Sequence, residues 1–197
     1  ADFGFSVATA GDVNGDGYSD VIVGASFYDN GQADEGRAYL YLGSASDLVP
    51  EAQLGPGLPL DTFQASAYFG SSVGTAGDVN GDGYSDLIVG APGYDNGQTD
   101  EGQVYVYLGP DIGQGLVPSP AWTVESNQAG ANFGASVATA GDVNGDGYSD
   151  VIVGAPYFTN GQANEGRAFL YLGSASGLAA TPAWTAESNQ ADANFGW

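Results

Sequence analysis

The stretch GDVNGDGYSD occupies Gly11–Asp20 and returns letter for letter at Gly77–Asp86 and Gly141–Asp150. A short apolar run follows each time: VIVGAS at Val21–Ser26, LIVGAP at Leu87–Pro92, VIVGAP at Val151–Pro156. Self-similarity at this period is the first thing to settle in a chain. Phe-Gly pairs at Phe3, Phe69, Phe133 and Phe195 mark the period, with spacings of 66, 64 and 62 residues. Behind each apolar run comes a second loop, bracketed in the first copy by Asn30-Gly31 and Glu35-Gly36. Then come AYLYLG (Ala38–Gly43), VYVYLG (Val104–Gly109) and AFLYLG (Ala168–Gly173). The second and third copies close on AWTVESNQ (Ala121–Gln128) and AWTAESNQ (Ala183–Gln190). The first copy has LPLDTFQA (Leu58–Ala65) in the matching place, with Pro59 and no tryptophan.

Each copy therefore holds four short β-rich segments between Gly/Asn/Asp/Pro punctuation, with no helical period. In the first copy these are Ser6–Val13, Asp20–Ala25, Arg37–Leu42 and the LPLDTFQA stretch. The second and third segments are apolar at nearly every position, as strands covered on both faces are. Four-stranded sheets stacked around an axis satisfy that pattern, and Pro59 fits an outermost strand, where a missing N–H does no harm. The expected fold is all-β: propeller blades of four antiparallel strands, three per chain. Residues 1–197 form one segment, with repeats at about 3–68, 69–132 and 133–197. Three blades fall short of the four to eight of a closed ring. Two chains about a two-fold axis would give a homodimeric six-bladed ring, the half-ring being completed by self-association. An excised or engineered fragment of a longer propeller is the competing expectation.

Within the repeated loop, oxygen donors fall at positions one, three, five and nine: Asp12, Asn14, Asp16 and Asp20. Gly17 permits a sharp reversal, and the Tyr18 carbonyl stands at position seven. Ca²⁺ takes six to eight oxygens in forgiving geometry, and the first half of an EF-hand loop uses this spacing. The equivalents are Asp78, Asn80, Asp82, Tyr84 and Asp86, then Asp142, Asn144, Asp146, Tyr148 and Asp150. A bare hairpin turn would account for the glycines. It leaves three carboxylates within nine residues, which repel one another without a cation. Magnesium, which wants a rigid octahedron, fits less well. The expectation is three Ca²⁺ sites per chain, structural rather than catalytic. Three ions add six charges, taking the net from −22 to −16.

Composition narrows the rest. Twenty-four acidic residues face two basic ones, Arg37 and Arg167, with no lysine. Nucleic acid and anionic membrane surfaces repel such a field. No apolar run approaches the roughly 18 residues of a membrane span. With neither histidine nor cysteine, the usual nucleophile–base pairs and thiolate or imidazole metal sites are missing, so the expectation is a non-enzyme. The chain opens on Ala1 without a visible signal peptide, as a mature or excised segment would.

Phe-Gly, DVNGDGYSD and VIVGAP together resemble the FG-GAP repeat of integrin α-subunit propellers and their bacterial relatives, across essentially the whole chain. Ser26 departs from Pro92 and Pro156, and integrin-type propellers have seven blades. The resemblance implies calcium in the repeated loops and ligand recognition on the opposite face, where Tyr28, Asp29, Tyr94, Asp95, Phe158, Gln128 and Gln190 would stand. For each of these, a merely loop-shaping role is the stronger expectation. Trp122 and Trp184 could stack on sugars, though strand aromatics more often pack in a core. Two functions follow as expectations. One is a calcium-stabilised structural or cell-adhesion module, extracellular or at the cell surface, with a protein ligand. The other is a carbohydrate-binding, lectin-like propeller.

Overall fold

The runs that read as covered on both faces become the second and third strands of each sheet. The computed structural model of the chain describes residues 2–54, 64–109 and 119–197. The first blade contains β1 (Ser6–Gly11), β2 (Asp20–Ala25), β3 (Arg37–Leu42) and β4 (Val49–Leu54). The second contains β5 (Ser72–Gly77), β6 (Asp86–Ala91), β7 (Gln103–Tyr107) and β8 (Trp122–Glu125). The third contains β9 (Ser136–Gly141), β10 (Asp150–Ala155), β11 (Arg167–Tyr171) and β12 (Trp184–Glu187). Every sheet is an antiparallel meander in sequence order, as short connections between successive strands require.

The LPLDTFQA expectation needs correction. The fourth strand of the first blade is Val49–Leu54, which pairs with β3 from Ala38↔Leu54 to Leu42↔Val49. Leu58–Phe63, Pro59 among them, lie outside the described residues. The edge argument carries over to another proline, because Pro50 pairs with Tyr41 in the outermost strand. The first strands are also shorter than expected. Gly11 turns to φ 75°, the register shifts between Thr9 and Gly11, and the Thr9 hydroxyl accepts the Gly11 N–H at 3.2 Å.

Blades stack through their first strands, β1 against β5 and β5 against β9, which places these strands innermost. Two cores fill the two gaps. Ala10, Val13, Ile22 and Leu40 meet Leu87, Val89, Tyr105 and Phe69 in one. Ala76, Val79, Ile88 and Val106 meet Val151, Val153, Phe169 and Tyr171 in the other. Burying each large side chain contributes about 1.5–3 kcal/mol, so the blades hold one another up.

The Phe-Gly pairs are the wedges of this packing. Phe69 is fully buried, its ring edge-on to Tyr105 at 5.3 Å, and Phe133 meets Phe169 likewise at 5.2 Å. Beside each wedge two backbones cross at glycine. The Gly70 carbonyl lies over Gly24, where any Cβ would collide with it, and accepts the Ser6 hydroxyl at 2.7 Å. Gly90 and Gly134 repeat the arrangement, with Ser72 donating at 2.7 Å.

Candidate metal centre

The repeated loop joins the first and second strand of each blade, and its own side chains fold it. Asp12 accepts the N–H groups of Gly15 at 2.7 Å, Asp16 at 3.1 Å and Gly17 at 2.9 Å. Asn14 accepts from the Asp16 N–H, and Asp16 from the Tyr18 N–H at 2.9 Å. Short polar side chains that bond the backbone two to five residues on are what such a turn needs. Asp78 and Asp142 take the same three N–H groups in their copies, each at 2.7 Å to the first glycine. The three loops share one conformation.

Position nine plays a different part. Asp20, Asp86 and Asp150 are fully buried at the start of the second strand. Each uses one carboxylate oxygen for the N–H of the residue after the first aspartate: Val13 at 2.8 Å, Val79 at 2.9 Å, Val143 at 2.8 Å. The other oxygen takes the N–H of the glycine just beyond the third strand: Gly43, Gly109 and Gly173, at 2.8–3.0 Å. This aspartate therefore ties the loop to the far side of its own blade.

Burial pushes the Asp86 carboxyl up to about 6, against its two backbone N–H bonds, with repulsion from Asp82 and Asp78 adding to the rise. Asp20 moves the same way, by burial first, then by repulsion from Asp12 and Asp16. In the exposed third loop the N–H groups of Gly147, Gly145 and Asp146 hold Asp142 down. The donors are all hard oxygens, and the repulsion on Asp20 and Asp86 is what a divalent cation would relieve, so the residues present fit calcium. They are not a finished cage, however: no group of three acidic side chains is arranged to hold a metal ion among the described residues. Loop N–H groups take up the oxygens instead.

The opposite face carries the longer loops, and most of the residues expected there support structure. Tyr28 packs under the Arg37 guanidinium at 4.5 Å, and Phe158 under that of Arg167 at 4.6 Å. Tyr94 stands edge-on to Tyr105. Asp29 and Asp95 each accept an N–H five residues on, closing the loop. Gln128 reaches the next blade, its amide donating to the Thr159 carbonyl at 2.9 Å and accepting the Thr159 N–H at 2.6 Å. Trp122 lies against Tyr171 and donates to the Ala179 carbonyl at 3.2 Å, while Trp184 is exposed.

Glu35, Glu101 and Glu165 stand in the same longer loops, one per blade. All three are buried, and each has a carboxylate oxygen with no hydrogen-bond partner. Glu101 and Glu165 receive the N–H groups of Asn96 and Asn160 at 2.6 Å. Their signal in the sequence is the Glu-Gly pair that closes the second loop of every copy.

Twelve strands in three four-stranded meanders, wedged by Phe-Gly at each junction, define a segment of a β-propeller among the described residues. The FG-GAP repeat profile matches residues 3–41, 69–107 and 133–171, and the chain belongs to that family. It is 42% identical over 159 residues to integrin alpha-IIb of Mus musculus, covering 78% of this chain and 15% of that protein. It is 40% identical over 176 residues to the phosphatidylinositol-glycan-specific phospholipase D of Bos taurus, covering 84% and 20%. The chain thus spans a fifth or less of these relatives' length. Among solved structures, a rhamnogalacturonan lyase of Bacillus licheniformis superposes with a TM-score of 0.50 at 15% identity, over 95% of this chain and 35% of that one. That likeness concerns the fold alone.

Proposed function

We propose that this chain is a calcium-stabilised, non-catalytic propeller module of the adhesion type, acting outside the cell or on its surface. The observation that carries the reading is the threefold loop, with one fold in all three copies and a position-nine carboxyl buried in each, repelled by its neighbours at Asp20 and Asp86. Asp12, Asn14, Asp16, Asp20 and the Tyr18 carbonyl would hold one ion. The matching residues of the other two loops would hold two more. Bound calcium supplies positive charge among the carboxylates and a rigid corner between first and second strands. The chain's own part is to present the oxygens and tie each corner to its blade through Asp20, Asp86 and Asp150.

The absence of histidine and cysteine supports a binding role over catalysis. A phospholipase activity belongs to the relative that is named for it, most of whose length has no counterpart here. Partners would be bound on the face of the longer loops, with a protein favoured over a glycan because Trp122 is committed to Tyr171. The test is a thermal melt with EDTA and with millimolar calcium. Calcium is expected to raise Tm substantially, and an unchanged melt would sink the structural-calcium reading. A glycan array separates the protein-binding and glycan-binding versions.

A further inference from the structure

At each of the two junctions inside the chain, one blade gives the next the same set of contacts. The Ser85 N–H donates to the Asp12 carbonyl at 2.9 Å, and the Ser149 N–H to the Asp78 carbonyl at 2.8 Å. The Tyr84 ring covers Gly15, and the Tyr148 ring covers Gly81. Val13 and Val79 are 0% and 1% exposed against the following blade. On the opposite face, Gln64 bonds the backbone of Asp95 as Gln128 bonds that of Thr159.

The two open edges of the chain hold the two separated halves of this set. The third blade offers the accepting half. Val143 is 52% exposed, Gly145 has no atom over it, and nothing takes the Asp142 carbonyl among the described residues. Gln190, one repeat after Gln128, is exposed. The first blade offers the donating half: Tyr18 is exposed, one residue before Ser19, and Asp29 stands where Asp95 and Thr159 meet their glutamines.

We propose that a second copy of this chain docks its first blade on the open edge of the third, continuing the propeller with the junction used twice within the chain. Tyr18 of the second copy then covers Gly145, its Ser19 N–H takes the Asp142 carbonyl, and its Asp29 backbone meets Gln190. Done reciprocally by two chains, the arrangement closes six blades, within the range of known propellers.

The junction requires an exchange. Each internal junction has one Phe-Gly wedge, yet here two compete for the place. Residues 192–195 already lie along the third blade as 66–69 lie along the first, with the Phe195 N–H on the Glu165 carbonyl. The Gly196 carbonyl lies over Gly154 and accepts the Ser136 hydroxyl at 2.9 Å. Phe195 nevertheless remains 42% exposed, because the aromatic partner that Phe69 finds in Tyr105 is missing. In the second copy that partner is Tyr39, held by its own Phe3 at 5.4 Å, and the Gly24 carbonyl is held by the Gly4 N–H at 3.0 Å. Phe195-Gly196 of one chain therefore displaces Phe3-Gly4 of the other. The displaced pair is the looser one: Phe3 is 58% exposed with nothing over Gly4, whereas Phe195 is less exposed and Gly196 lies against the Arg167 carbonyl.

Size-exclusion chromatography with light scattering, at physiological salt to screen the −22 charge, tests this on the full chain. The expected mass is twice 19.9 kDa. Val143→Asp should give the single-chain mass with an unchanged circular dichroism spectrum, since the residue is exposed within one chain. Gln190→Ala, which alters only an exposed amide, should weaken association even if Val143→Asp fails to fold. Phe195→Ala should weaken association about tenfold or more, as loss of a buried aromatic anchor does. Phe3→Ala should leave it unchanged or tighter, because it removes the competitor. A wild-type chain that stays single at every concentration, with and without calcium, overturns the proposal. Equal weakening by Phe3→Ala and Phe195→Ala overturns the exchange.

Discussion

The ring of Tyr84 lies across Gly15 of the preceding blade, so close that a Cβ on Gly15 would come within 2.7 Å of it. Gly145, one junction further on, has the same left-handed backbone, φ 76° against 74°, and nothing above it. The pair separates backbone strain from steric exclusion. Gly15→Ala and Gly145→Ala both incur the cost of a side chain at positive φ, about 1 kcal/mol. Gly15→Ala adds overpacking of roughly 1–3 kcal/mol. Urea unfolding in a Val143→Asp background, which keeps chains apart, should show Gly15→Ala the more destabilising. Equal losses would mean that the tyrosine yields freely.

Ser26 is fully buried and its hydroxyl has no hydrogen-bond partner, whereas the other copies carry Pro92 and Pro156 there. The turn that follows is the same in all three, closed by Tyr28 N–H to Ala25, Tyr94 to Ala91 and Phe158 to Ala155 at 3.1–3.2 Å. The proline backbone is therefore already compatible with the site. Ser26→Pro should stabilise by about 1–2 kcal/mol, from a removed orphan hydroxyl and a less flexible unfolded chain. A lowered midpoint in urea would count against the equivalence of the turns.

Asp82 is an exposed member of the second loop, one oxygen on the Tyr84 N–H at 3.0 Å and the other on the Asn80 amide at 2.9 Å. Asp82→Ala should lower the calcium stoichiometry seen by titration calorimetry from three to two, and leave the first and third loops unaffected. The melting temperature in EDTA should change little, because an exposed turn bond is worth about 1 kcal/mol. Three remaining sites in the variant would remove Asp82 from the ligand set.

Alkaline stability should depend on the inter-blade tyrosines. Burial pushes the hydroxyls of Tyr105, Tyr107 and Tyr171 well above their ordinary value near 10. A raised folded-state pKa leaves stability intact below the unfolded value. It is lost progressively above about pH 10, as the unfolded chain releases protons that the folded one retains. Absorbance at 295 nm should show these rings ionising only as the circular dichroism collapses. Full ionisation with the sheet signal intact would contradict their burial.

The blade was legible because its evidence is local. A run such as VIVGA admits few solutions once Gly and Asp-rich turns bound it, and Asp20–Ala25 and Arg37–Leu42 form strands within the limits read from the letters. The aspartates of the repeated loop announced their turn through their spacing. The fourth strand of the first blade escaped, because the alignment of copies pointed to LPLDTFQA while pairing with β3 chose Val49–Leu54. Edge strands carry weak patterns, since one side has no partner to constrain them.

By itself, then, the sequence determined the repeat, the all-β blade and a loop of hard oxygens. All of these depend on residues close together in the chain. Only the tertiary structure decided what the residues between blades do. Gln128 clasps Thr159, Tyr148 covers Gly81 and Phe133 wedges against Phe169 across separations that no local pattern encodes. It also turned three identical loops into unlike sites. Val13, Val79 and Val143 are the same letter in the same motif, yet the first two are buried and the third is exposed. The physical reason is position in the stack: Val13 and Val79 are each covered by the blade that follows, and among the described residues no blade follows the third.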